Sequence, residues 1–433
     1  MRSAFCFFRP GLLLLCAALL AGTASGAEPL TPRQQREDFE VFWRAIDSGY
    51  AYFEKDRARW RRLRPLARQA AESANSRADF IAVLEDAIAT LHDDNVSLSE
   101  RTPASPRSVP YETDVWASWR NGVAVVEAVR VFGDADVAGL QPGDVVTRVD
   151  GVPVERAARD LLGAAQRTPA AMDWALRHVL AGPRIGLQRV EILEARPSMQ
   201  LTIEHGPPSP GNASSILARR MGDARDIGYL RLRAGDDRLA EHFDQAFRHL
   251  MDTRALIVDL RDNAGPGSRA ATRAILARFI SSPKPWQLRE ARGKPRVAER
   301  IEPRGNMPYT RPVVVLVDRW TAGESEALAE GLRTLAGAQV VGTRTAGLRG
   351  ELHQVKLPHS GVILRYPAEK TFRMDGEPRD EVLPTVEVNL AAPKGGPGDP
   401  ILYQALKLLE PCPGPACRSA PGSPPPARAF PRR

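Results

Sequence analysis

Pro312-Val-Val-Val-Leu-Val-Asp-Arg-Trp-Thr-Ala-Gly-Glu-Ser-Glu326 is the stretch on which the fold turns. Its unbroken run of valine and leucine has no polar side, the pattern of a strand covered on both faces in a parallel sheet. Downstream, Ala327, Leu328, Gly331, Leu332 and Leu335 recur at helical spacing, and Val340 to Arg344 returns to strand character. The order is strand, sharp turn, helix, strand. At such a turn the unpaired N–H groups and dipole of the helix start stabilise negative charge, so α/β enzymes set nucleophiles there. The architecture suggests a hydrolase, although no residue at the corner is an obvious nucleophile.

A chain of 433 residues exceeds one small core and predicts several domains. The formal charge of +8 is partly carried by a tail holding Arg418, Arg428, Arg432 and Arg433, so no nucleic-acid-binding face is expected. Residues 1–27 read as a secretory signal: a basic start, the apolar run Gly11 to Ala21, and a small-residue end at Ala24-Ser-Gly-Ala27. The run is too short for an ordinary membrane span, so an exported protein, periplasmic or extracellular, without stable membrane insertion is expected. In an oxidising compartment Cys412 and Cys417, in Cys-Pro-Gly-Pro-Ala-Cys, are expected to pair.

Taken in order, residues 28–100 predict a helical cap. Phe39, Phe42, Ile46 and Tyr50 form one stripe, Trp60, Leu63, Leu66 and Ala70 a second, and Phe80, Val83, Leu84, Ile88 and Leu91 a third, opened by Ser76 and Asp79. Residues 105–207 change to short strands with a hairpin at Asp150-Gly151. Here Ala138-Gly-Leu-Gln-Pro-Gly-Asp-Val-Val146 and Val149-Asp-Gly-Val-Pro-Val154 resemble a bacterial PDZ domain, which implies addition of an extended peptide to a sheet edge, with Asn121, Gly122, Val123 and Val125 as the expected contacts. Residues 212–395 alternate strand and helix, an α/β core, and 396–433 form a Pro/Arg-rich tail.

Together, Tyr50-Ala-Tyr-Phe53, Leu91-His-Asp-Asp-Asn-Val-Ser-Leu98, the PDZ-like run, Asp259-Leu-Arg-Asp-Asn-Ala-Gly265, Val315-Leu-Val-Asp-Arg-Trp-Thr321 and Val341-Gly-Thr-Arg-Thr-Ala-Gly347 resemble the tail-specific, or C-terminal-processing, serine peptidase family, including its tricorn-like and retinoid-binding-protein-like branches. The resemblance implies an α+β multidomain chain: a helical cap, a PDZ-like β domain and a crotonase-like α/β core. It also implies where the machinery stands. The family's nucleophilic serine falls on Gly323, its lysine base on Leu348, and its alternative histidine base on Asn95. An acid that orients such a histidine corresponds to Glu381, and the oxyanion donors to Gly265 and Glu324, with Pro266 replacing a second glycine and lacking an N–H.

Glycine has no hydroxyl and asparagine is no base, so the resemblance and the residues disagree about activity. Three readings follow. The first is a peptide-binding protein of the peptidase fold, weak or inactive in hydrolysis, whose partners are extended or C-terminal segments of unfolded proteins. The second is an active peptidase with Ser325 as displaced nucleophile, His92 as base and Glu381 as acid; the bland role of Ser325 is a helix N-cap. The third is a binder of small apolar ligands. With no phosphate loop, His-Glu-x-x-His or Cys-x-x-Cys pair, no cofactor or metal is expected.

Overall fold

The computed structural model describes residues 30–53, 57–163, 167–193, 199–207, 216–233, 237–263, 267–305, 307–391 and 398–410. The expected signal segment, Gly265, Pro266 and the Cys412–Cys417 pair lie outside the described residues.

Three helices open the chain: α1 (Pro32–Gly49), α2 (Arg57–Glu72) and α3 (Arg77–Ala89). Thr31 and Ser76 start the first and third by accepting from Gln34 N and Asp79 N, as N-cap hydroxyls do. Phe39, Phe42, Ile46, Trp60, Phe80 and Leu84 are fully buried, and Trp60 stacks on Trp43 at 3.9 Å between ring centroids. One stripe needs correction. Leu66 is 70% exposed, and Ala71 rather than Ala70 is buried, so the inner face of α2 runs Trp60, Leu63, Ala67, Ala71. Both spacings fit a helix locally, and the partner helices decide between them.

A six-stranded sheet follows, ordered β1 (Val115–Arg120), β2 (Val123–Val129), β3 (Val145–Val149), β4 (Gly186–Ile192), β5 (Met199–His205), with Val152–Pro153 paired to β3. Asp150 and Gly151 turn the expected hairpin with φ of 48° and 78°, as a two-residue hairpin loop requires. The helices α4 (Asp134–Val137), α5 (Val154–Leu162) and α6 (Pro169–Ala181) pack on it, and α6 buries Leu176 and Leu180 with Ala117 of β1.

The core sheet contains β6 (Ile216–Met221), β7 (Ile227–Leu232), β8 (Ala255–Asp259), β11 (Val313–Val317) and β12 (Gln339–Gly342), in the order Val386–Glu387, β12, β11, β8, β7, β6. All pairs are parallel except β6 with β7. Val313, Val315 and Val317 face one hydrophobic cluster with α7 (Leu239–Arg248), α8 (Arg269–Leu276) and α9 (Glu324–Ala336). Val314 and Leu316 face another with α10 (Pro400–Leu408), so β11 is covered on both sides as its composition requires.

Strand and helix do not alternate throughout the core. Between β8 and β11, and again after β12, the chain builds a second, antiparallel sheet from β9 (Lys284–Ala291), β10 (Val297–Ile301), β13 (Glu351–Lys356) and β14 (Ile363–Phe372). Ser97–Leu98 joins its edge by pairing with Leu364 and Arg365 of β14. Leu357, Val362, Leu364 and Tyr366 therefore complete the hydrophobic core of the helical cap.

Candidate functional site

The end of β11 is pinned before the turn is made. Thr321 donates its hydroxyl to Leu260 O at 2.9 Å, and Asp318 accepts from the N–H of Trp320 at 3.0 Å and of Asp262 at 3.1 Å. Burial pushes the Asp318 carboxyl up to about 6. Gly323 then takes φ 58° and ψ −119° as the N-cap of α9. A side chain held in that sparsely populated conformation is strained, and nucleophile elbows carry such strain at a strand-to-helix turn. Helix α9 starts at Glu324, whose N–H finds no acceptor among the described residues, leaving a donor at the positive end of the helix.

Glu326, one turn into α9, ties this corner to the next loop. Its carboxylate accepts from Gly323 N at 2.9 Å, Leu348 N at 3.1 Å, Gly347 N at 2.9 Å and the Thr345 hydroxyl at 2.5 Å. Next to Leu348, the Arg349 carbonyl accepts from Asn95 Nδ2 at 2.7 Å, and the Arg349 guanidinium reaches Asp93 at 3.3 Å. Asp93 also accepts from the Tyr50 hydroxyl at 2.6 Å. Gly323, Leu348 and Asn95, far apart in sequence, thus stand in one hydrogen-bonded chain. None of the three supplies a nucleophile or a base. Burial pushes Glu326 up to about 7, and burial with the neighbouring Glu351 pushes Glu324 up to about 7.

The other expected site residues are held elsewhere. Ser325 is not the N-cap; it is the second residue of α9, 7% exposed, and its Oγ accepts from Asn263 Nδ2 at 2.5 Å. An amide N–H is a donor to that oxygen and cannot take its proton. His92 packs its ring 4.8 Å from Trp174 of α6. Glu381 lies beside Gly347 but is paired with Arg319 at 3.0 Å and Arg344 at 3.2 Å.

The expected peptide contacts need correction. Asn121 and Gly122 form the β1–β2 turn, and Val123 and Val125 lie on β2, which β1 and β3 flank on either side. An interior strand has no free edge to offer a peptide. The edges are β1 and β5, and on β1 Trp119 donates its backbone N–H to Asp173 of α6 at 2.9 Å and its indole N–H to Met172 O at 3.0 Å.

Sequence reasoning missed the residues that join the two sheets. Arg319, 8% exposed, bridges Glu127 of β2 at 2.5 Å and Glu381 at 3.0 Å, with its guanidinium over Trp116. Trp320 donates its indole N–H to Thr113 O at 2.8 Å. Tyr111 points a buried hydroxyl, without a hydrogen-bond partner among the described residues, at a site where burial and then Glu326, Glu324 and Asp94 push its ionisation up. Glu326 had a local signal, an acid three residues after an N-cap. Arg319 and Tyr111 had none, because their partners are set only by the tertiary fold.

No helix of the described residues is long and apolar enough to cross a membrane. The chain is 28% identical over 223 residues to a carboxyl-terminal-processing protease of Synechocystis, covering 49% of this chain and 46% of that one. It is 26% identical over 321 residues to the chloroplastic C-terminal processing peptidase of Tetradesmus obliquus, covering 70% and 66%. The chain thus spans about half to two thirds of the length of these relatives. Its fold is similar to that of mature CPAF, with a TM-score of 0.53 at 16% identity over 82% of this chain and 92% of that one. Residues 226–388, which carry β7 to the end of the core sheet with the Gly323 corner between them, match the model of peptidase family S41.

Proposed function

We propose that this chain is an exported S41 protein that binds extended or C-terminal polypeptide segments and hydrolyses them weakly or not at all. The observation that carries the reading is the corner of β11 and α9: the strained backbone of a nucleophile elbow is kept, while the residue on it is Gly323. The network from Glu326 through Leu348 and Arg349 to Asn95 supports it, since the two positions where the family's bases stand serve as structural donors. Losing both nucleophile and base costs several orders of magnitude in rate.

A fluorophosphonate probe and an unfolded protein substrate test this reading together. The expected result is no covalent adduct and no turnover above background, with saturable binding of short apolar peptides. An adduct on Ser325, or turnover that the Ser325→Ala variant loses, overturns it. Export is tested by the mature N-terminus, which the reading puts at Glu28.

A further inference from the structure

One helix of the cap is far more basic than the chain around it. Along its 16 residues α2 carries Arg57, Arg59, Arg61, Arg62, Arg64 and Arg68 against a single acid, Glu72. That leaves a net +5 on α2, where the whole chain carries +8. Four of these arginines share the carboxylates of α1. Arg57 and Arg61 reach Asp47 at 3.1 and 3.0 Å, while Arg64 and Arg68 both pair with Glu40, Arg68 also with Glu72 at 3.4 Å. Arg59 and Arg62 have no carboxylate partner among the described residues. The basic surface continues past the helix. Arg292, in the turn between β9 and β10, donates to the Asp47 carbonyl at 3.1 Å, which brings the exposed Arg292 and Lys294 beside the amino end of α2.

The outward face of α2 also holds an apolar side chain. Trp60, Leu63, Ala67 and Ala71 take the inner side, so at about 3.6 residues per turn Arg62, Pro65, Leu66 and Gln69 point away from the cap, and all four are exposed. Leu66, one turn after Arg62, is 70% exposed. Guanidiniums and a leucine on one exposed helix face fit a bilayer surface, where the arginines meet lipid phosphates and the leucine enters the acyl boundary. A nucleic acid would use the guanidiniums and leave the leucine idle, and an exported chain works beside a membrane.

We propose that α2, with the β9–β10 turn beside it, is a docking face for an anionic phospholipid bilayer. Arg59 and Arg62 contact phosphate, and Leu66 enters between the headgroups. The choice of a membrane rests on the exported reading above. One leucine buries too little area to hold the chain alone, so attachment depends on lipid charge and is reversed by salt.

Co-sedimentation of the mature chain with vesicles of phosphatidylcholine, with and without phosphatidylglycerol, tests the face. Binding is expected only with phosphatidylglycerol, and it should vanish at about 0.5 M salt, where surface charges are screened. Arg59→Gln with Arg62→Gln should weaken binding about thirtyfold, at about fivefold for each arginine near an anionic surface. Neither side chain belongs to the cap core, so the unfolding transition of that variant should not move. Leu66→Gln should weaken binding about threefold to tenfold through lost apolar burial. The tail variant Arg418→Gln, Arg428→Gln, Arg432→Gln, Arg433→Gln controls for charge elsewhere and should keep most of the binding. Loss of binding in the tail variant and not in the α2 variants overturns the proposal, as does equal binding to both kinds of vesicle. A DNA duplex bound as tightly as the vesicles, with Leu66→Gln silent toward both, shows a general polyanion face and also overturns it. No peptide enters the assay, so its failure leaves the peptide-binding reading standing, and the mature N-terminus, measured separately, tells that failure from a failure of export.

Discussion

Placing a hydroxyl back on the corner, by Gly323→Ser, should cost stability and restore no activity. With φ 58° and ψ −119°, Gly323 occupies a conformation that an L-residue adopts only under strain, of about 1–3 kcal/mol. A second glycine provides the reference. Gly337 ends α9 at φ 65° and ψ 26°, an ordinary left-handed cap with open space where a Cβ would go. Asparagine tolerates that conformation, so Gly337→Asn should cost well under 1 kcal/mol. Urea unfolding of both variants against the parent, followed by tryptophan fluorescence, reads the difference, with Trp320 and Trp286 buried in the parts of the chain concerned. The serine variant should remain unlabelled by a fluorophosphonate, because Leu348 and Asn95 cannot take its proton. Equal stability of the two variants, or a reactive serine without a supplied base, refutes the reading of this corner.

Other outcomes follow from the same structure. Glu326→Ala removes the acceptor of four donors and should destabilise the core by about 3–5 kcal/mol in the same unfolding assay. Glu324 is raised from 4.5 to about 7, so the folded state holds a proton that the unfolded state has released; its contribution is full below about pH 4.5 and is lost as pH rises through 7. Stability measured at pH 5 and pH 8 should therefore fall less in Glu324→Gln than in the parent, by about 3 kcal/mol at most. A slope identical in the two proteins refutes that assignment. Asp173→Ala should speed hydrogen exchange at the Trp119 amide without changing exchange in the core sheet. Trp60→Ala should cost about 3–5 kcal/mol, read as early loss of the cap helices by circular dichroism, since its ring is fully buried against Trp43.

Much of the core could be read from composition. A run such as Val313 to Val317 leaves no solvent side, and the turn after it had to present a helix start. The sharp turn was legible too, and the structure makes it at Gly323, with φ 58° and ψ −119°. The antiparallel sheet of β9, β10, β13 and β14 was not, because Trp286 and Gln287 are adjacent and both buried, so no alternating face marks the strand. The side of the peptide sheet was misjudged for a similar reason: β1 and β2 are alike in residue type, and which of them is the edge depends on partners arriving from β3 and α6.

The pairing of Ser97–Leu98 with Leu364 and Arg365 also constrains biosynthesis. A polypeptide made from its amino end exposes Phe39, Phe42 and Trp60 long before Leu357, Val362, Leu364 and Tyr366 leave the ribosome to cover them. The first helices must therefore wait, sticky and incomplete, for almost the whole message to be translated.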